Sequence, residues 1–196
     1  LTDADYNTVV GMQALNNDTL GSTSTAIGAF TLNNQNFTSA TNTYNTAVGY
    51  SAMLVNTTGT ANAAFGNLSL DANTTGSYNT SIGYGTLTAN TTGADNTAVG
   101  INSLAANTTA ANNTAVGSSA LEGNTTGTAN VAIGHQTLDA NTTGDYNTAV
   151  GKSSLSASTE SDDNTAVGYA AGAAITTGYA NAILGSNALT NGTTAE

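Results

Sequence analysis

Residues 96–112 read Asn96-Thr97-Ala98-Val99-Gly100-Ile101-Asn102-Ser103-Leu104-Ala105-Ala106-Asn107-Thr108-Thr109-Ala110-Ala111-Asn112, one copy of a unit that the chain writes eleven times. In each copy a polar residue, one or two small residues and a large apolar residue precede a glycine. These glycines are Gly11, Gly28, Gly49, Gly66, Gly83, Gly100, Gly117, Gly134, Gly151, Gly168 and Gly185. Nine of the ten intervals are 17 residues, and Gly28 to Gly49 is 21. Self-similarity at a fixed short period is the signature of a repeat architecture and outranks any local motif. Residues 1–196 are therefore read as a single array, with coils beginning at 7, 24, 45, 62, 79, 96, 113, 130, 147, 164 and 181. The four extra residues fall within about 33–40, around Phe37, and are expected to form a loop on one face.

Counting Asn96 as coil position 1, position 4 holds Val48, Ile82, Val99, Val116, Ile133, Val150 and Val167, with large apolar residues in the other coils too. Position 9 holds Leu70, Leu87, Leu104, Leu121, Leu138 and Leu155. These two columns are the predicted core. Thr-Ala-Val alternates faces as a short strand does, and Asn102-Ser103-Leu104 is expected to form a second strand. Segments this short and this rich in Thr, Asn and Gly argue against helical coils. The fold class is all-β: a parallel β-solenoid, or β-roll, of about eleven 17-residue coils. Stacked at ~4.8 Å per coil, it makes a rod of about 50 Å. Gly49, Gly66, Gly83, Gly100, Gly117, Gly134, Gly151 and Gly168 at position 5 imply a positive φ or an approach too close for a Cβ.

A second corner, Asn-Thr-Thr-Gly, recurs at 56–59, 73–76, 90–93, 124–127 and 141–144. Asn and Thr bond their own backbone in turns, and Gly closes them. The same column writes glycosylation sequons at Asn56, Asn73, Asn90, Asn107, Asn124 and Asn141. Turn chemistry is the preferred reading, with sugar on that edge as the alternative.

Composition removes several function classes. Twelve acids stand against one base, Lys152, giving a net charge of −11. Nucleic-acid binding needs Lys and Arg to displace counterions, so no nucleic-acid partner is expected. No apolar run approaches the ~20 residues of a membrane helix, and insertion in a membrane is not expected. With no Cys, disulfides are excluded. The chain begins at Leu1, which suggests a processed product or a segment of something longer. The last coil, 181–196, has no cap, so the array is expected to continue or to stack on another copy.

Two large apolar residues per coil make a thin core, which self-association usually supplements. The small Ala column at position 3 is expected to pack neighbouring chains around an axis, as a parallel homotrimer. The phrases Ser24-Thr25-Ala26-Ile27-Gly28, Asn130-Val131-Ala132-Ile133-Gly134 and Asn147-Thr148-Ala149-Val150-Gly151 resemble the head repeats of YadA-like trimeric autotransporter adhesins. Similar Asn-Thr-Ala-Val-Gly arrays occur in bacteriophage tail-fibre proteins. The resemblance covers nearly the whole chain. It implies a left-handed roll, three chains around one axis, and an extracellular role in attachment at a cell or virion surface.

No residue is assigned a catalytic or cofactor role. His135, the sole His, lies in a permissive column and has nothing to orient it in a triad; a zinc site would need several His or Cys ligands. Glu160, Asp162 and Asp163 could hold one Ca²⁺ with backbone oxygens, although a solvated acidic loop is the preferred reading. All eight Tyr occupy positions 6, 16 or 17, where rings suit interfaces or carbohydrate, or simply cover the core. The expected function is a structural and adhesive shaft or head of an extracellular fibre, engaging surface carbohydrate or a host receptor by many weak contacts. The alternatives are a self-assembling, glycosylated filament stacked end to end, an ice-binding solenoid, and a glycan-cleaving tail spike.

Overall fold

A computed structural model describes residues 5–190. Its strands run in chain order: β1 (Thr8–Val10), β2 (Gly21–Ser22), β3 (Thr25–Ile27), β4 (Thr41–Asn42), β5 (Thr46–Val48), β6 (Ala63–Phe65) and β7 (Thr80–Ile82). They continue with β8 (Thr97–Val99), β9 (Thr114–Val116), β10 (Val131–Ile133), β11 (Thr148–Val150), β12 (Thr165–Val167) and β13 (Ala182–Leu184). Eleven of them form one parallel sheet in the order β1-β3-β5-β6-β7-β8-β9-β10-β11-β12-β13. The register advances one coil per strand, as in Thr97↔Thr114, Ala98↔Ala115 and Val99↔Val116. The chain is a parallel β-solenoid of about ten turns with coils of about 17 residues. The coil that starts at Asn181 runs into 191–196, outside the described residues.

The glycine corner has two causes at once. Gly100 has φ +127°, and a Cβ there would lie 2.6 Å from the carbonyl carbon and oxygen of Gly117 in the next coil. Neither an L side chain nor its volume fits.

The second strand expected at Asn102-Ser103-Leu104 is a turn instead. Asn102 and Leu104 take φ +55° and +51°, and the matching positions of other coils repeat these left-handed values. The segment still bonds to its neighbours: the Asn102 N–H donates to Tyr84 O at 3.0 Å, and the Leu104 N–H to Ala120 O at 3.0 Å. Inter-coil bonding therefore persists without extended backbone. The left-handed kinks curl the coil tightly enough to close in 17 residues.

The insertion is only partly a surface loop. Residues 38–40 are exposed, but Gln35 and Phe37 are buried, and β2 and β4 pair beside them as a small second sheet. In the coil that starts at Asn164, buried Ile175, together with Ile183 of the next coil, fills the space that Gly172 leaves beside Leu155.

Candidate functional site

Which side chains point inward follows from strand alternation. In β8, Ala98 faces in, so Thr97 and Val99 must share the outer face. The Leu column at position 9 is fully buried, as are the Ala side chains at position 3. The position-4 column was expected in the core, and the structure corrects this. Ile82, Val116, Ile133 and Val167 are 36–42 % exposed, and Val48, Val99 and Val150 are half-buried on the same outer face. The Ala column, expected between chains, lies inside its own coil. Space decides both outcomes: one Leu and one Ala fill the apolar half of the interior, which has no room for a second branched side chain.

Asparagine fills the other half. Position-1 residues form one ladder: Asn96 Nδ2 donates to Ala110 O at 2.9 Å, while Asn96 Oδ1 accepts the Asn113 N–H at 3.0 Å. Position-12 residues form another: Asn107 Nδ2 donates to Asn90 Oδ1 at 2.9 Å and to Ala110 O at 3.1 Å. The two ladders thus meet on one carbonyl per coil, which accepts twice. Beside them the Thr108 hydroxyl donates to Thr125 O at 3.1 Å, and its counterparts repeat this contact.

This network settles the place of the six sequon asparagines. Asn56, Asn73, Asn90, Asn107, Asn124 and Asn141 are all fully buried. From Asn73 onward each Nδ2 donates both to the preceding Asn and to the carbonyl three residues on. A glycan on Nδ2 would remove one of those bonds and would have no exit from the interior. Within a folded coil these positions are structural.

Nothing orients His135, which is exposed. Glu160, Asp162 and Asp163 are exposed, and Asp162 Oδ1 accepts the Asp145 N–H at 2.8 Å. Among the described residues no group of three or more His, Cys, Asp or Glu is placed to hold a metal ion. Two carboxylates are perturbed. Burial pushes Asp18 above its ordinary value, partly offset by bonds from the Gly21 N–H and the Gln35 side chain. Burial likewise raises Asp139, and the nearby Glu122 charge adds to this, while its own backbone N–H and His135 oppose it.

What remains outside is one surface. Positions 2 and 4 of the eleven strands present mostly Thr and Val or Ile in register along the rod, with Ala63, Val131 and Ala182 at position 2 and Phe65 and Leu184 at position 4 as the exceptions. Exposed aromatic and apolar residues border it: Tyr50, Tyr84, Ile101 and Tyr169 at position 6, and Tyr44, Tyr78 and Tyr146 at position 17. No charged residue occupies position 2 or 4 in any strand. The exposed Val and Ile side chains of this face and the rings at its borders lie side by side along the rod, so the apolar exposure is continuous and not scattered singly. The position-1 and position-12 Asn ladders and the outward Val column escaped the sequence reading. A signal was there: position 1 is Asn in ten of eleven coils, a strictness that a solvated turn does not require. Comparison with protein-family models, curated proteins and solved structures finds no match for this chain.

Proposed function

We propose that the chain is a structural and adhesive segment of an extracellular fibre, assembled from parallel copies of itself as a homotrimer. The observation that carries this reading is the uncharged outer face of the eleven-stranded sheet, a largely Val and Ile column beside a largely Thr column, which runs the length of the described array. A fibre subunit needs a rigid body and a face that neighbours cover, and the stacked coils supply the body. The resemblance of the Asn-Thr-Ala-Val-Gly array to trimeric adhesin heads and phage tail fibres supports the same assembly and a place on a cell or virion surface. Side faces would then meet carbohydrate or receptor through repeated weak contacts, with affinity gained by avidity.

Light scattering over a range of concentrations tests this. The expected result is a constant mass near three chains. Ile82→Lys and Val116→Lys change only outward side chains, so each variant is expected to keep its circular dichroism spectrum and fall to the mass of one chain. A wild-type mass of one chain at every concentration would refute the reading. A mass that climbs with concentration would favour end-to-end filaments instead.

A further inference from the structure

The position-12 amide ladder does not run the whole rod. It joins Asn56 to Asn141 over five steps, each Nδ2 donating to the Oδ1 one coil before. The next two members of the column are Ser158 and Ile175, both fully buried. Ser158 carries no amide to reach back with, and its hydroxyl bonds that of Ser161 in its own corner. Asn141 Oδ1 is left without a partner. The step from the coil that starts at Asn130 to the coil that starts at Asn147 therefore lacks a bond that the five steps before it possess.

Charge weakens the same step. Asp145 and Asp162 hold position 16 in these two coils, with Glu160 and Asp163 in the same corner as Asp162. The Asp145 N–H donates to Asp162 Oδ1 at 2.8 Å, but like charges opposed at a coil spacing of about 4.8 Å repel.

Beyond the step the interior is built differently. A Cβ placed on Gly172 would lie 2.9 Å from Leu155 Cδ2, 2.9 Å from Ile183 Cδ1 and 3.5 Å from Ile175 Cδ1. These side chains come from three successive coils, those that start at Asn147, Asn164 and Asn181, and they converge on one point. An apolar knot ties the three coils together where the body of the rod uses amides.

We infer that residues 147–190 form a releasable end of the rod: three coils that open together, at the step between β10 and β11, while the ladder-held body stays closed. In a stacked array each coil is held by its neighbours alone, so opening from an end stops where the next interface is strong. The knot makes the three coils one cooperative unit, and the missing ladder bond makes the step before them the weak one. A fibre segment built this way yields at one defined place and keeps the rest of its surface intact. The device does not depend on self-association: copies that cover the sheet face would slow the opening without moving its boundary.

Hydrogen exchange of the full chain, read by mass spectrometry under native conditions, tests this. The amides of β11, β12 and β13 are expected to share one rate, and those of β10 to exchange at least tenfold more slowly. Ser158→Asn, which offers Nδ2 to Asn141 Oδ1, is expected to slow β11, β12 and β13 together by about fivefold, the net worth of one hydrogen bond. Ile183→Ala installs the residue that β8 to β12 hold at the same position, and cuts the knot. It is expected to speed β13 at least tenfold relative to β11. Protection that rises by even increments from β13 to β8 in the wild type would overturn the inference. A Ser158→Asn effect confined to β11 would overturn it too, as would β11 and β13 keeping one rate in Ile183→Ala.

Discussion

Replacing Asn107 with Ala tests whether the buried amides hold the solenoid together. Truncation removes two donated bonds, to Asn90 Oδ1 and Ala110 O, and the bond accepted from Asn124 Nδ2 at 3.0 Å. Ala110 O keeps a donor in Asn96 Nδ2, and Asn124 Nδ2 keeps Gly127 O at 2.9 Å. What is lost outright is the partner of Asn90 Oδ1 and one proton's worth of Asn124, both in the interior. An orphaned buried polar group costs about 1–3 kcal/mol, and the void adds to it, so the expected loss is about 3–5 kcal/mol. The chain contains its own converse. Asn141 Oδ1 has no partner because the next residue in the column is Ser158, whose hydroxyl bonds Ser161 instead. Ser158→Asn restores a donor to Asn141 Oδ1 and frees the Ser161 hydroxyl to donate to the new Oδ1. A gain of about 1 kcal/mol is expected. Urea denaturation followed by circular dichroism, at one fixed protein concentration because association shifts apparent stability, measures both variants. Hydrogen exchange should show the Asn107→Ala loss centred on its own and adjacent coils, as nearest-neighbour coupling in a repeat array demands. A cost below ~1 kcal/mol for Asn107→Ala, or a loss with Ser158→Asn, would refute the assignment of stability to the ladder.

Two further outcomes follow from the backbone and from burial. Gly100→Ala forces a Cβ within 2.6 Å of the Gly117 carbonyl at φ +127°, and is expected to cost more than about 3 kcal/mol in the same denaturation assay. Gly85→Ser should stay within about 1 kcal/mol of wild type, because Ser51, Ser119 and Ser153 hold the same coil position at φ +53° to +56°; equal effects from the two glycines would discredit the steric account. Asp18→Asn addresses pH. Burial raises Asp18 above its ordinary 3.8, so between that value and the raised one the folded chain keeps a proton that the unfolded chain has released. Stability therefore falls as pH rises through that window and levels off above it. The Asn variant lacks this term, so its advantage in denaturation midpoint is expected to be larger at pH 7 than near pH 3. An advantage independent of pH would show that Asp18 does not carry the effect.

Much of the coil was legible because its strongest constraints are local. Gly at position 5 in every unit marks a corner that no side chain fits. Leu at position 9 marks the one place where a large apolar residue fills the interior. The face of Val99 was not legible from hydrophobicity, which takes any conserved-looking Val column as core. It was legible from alternation: Thr97 and Val99 lie two residues apart in one strand and must share a face, so one of them had to be misplaced by any reading that put Val inside and Thr out. The left-handed turns at Asn102 and Leu104 carry no such mark. Both positions accept residues that ordinarily avoid positive φ, and only the geometry of closure in 17 residues puts them there. The Asn-Thr-Thr corners read as turns, and the chain bends at them, but the sequence does not say that their Asn side chains point inward rather than to water.

The interior and the exterior of the coil follow from one constraint. A 17-residue coil encloses too little volume for a conventional apolar core, and Ala at position 3 is what remains when a strand faces the opposite wall at close range. Amides suit such a space because each Asn both gives and accepts. A column of them bonds along the axis with no unpaired group except where the column stops, as at Asn141. The larger apolar residues that strand propensity favours are then left to the outer face, where β-branched Val and Ile pack against the same residue one coil away. Such a coil carries hydrogen-bonded specificity inside and unspent apolar surface outside, the reverse of an ordinary globular domain. Lengthening the array adds both in proportion, so each added coil strengthens the rod and extends its exposed apolar face. Ala98→Val would test the limit of that interior directly: Ala98 is fully buried in the same apolar cluster as Leu104, between Ser81 and Ala115 of the adjoining strands, and overpacking of about 1–3 kcal/mol is the expected result.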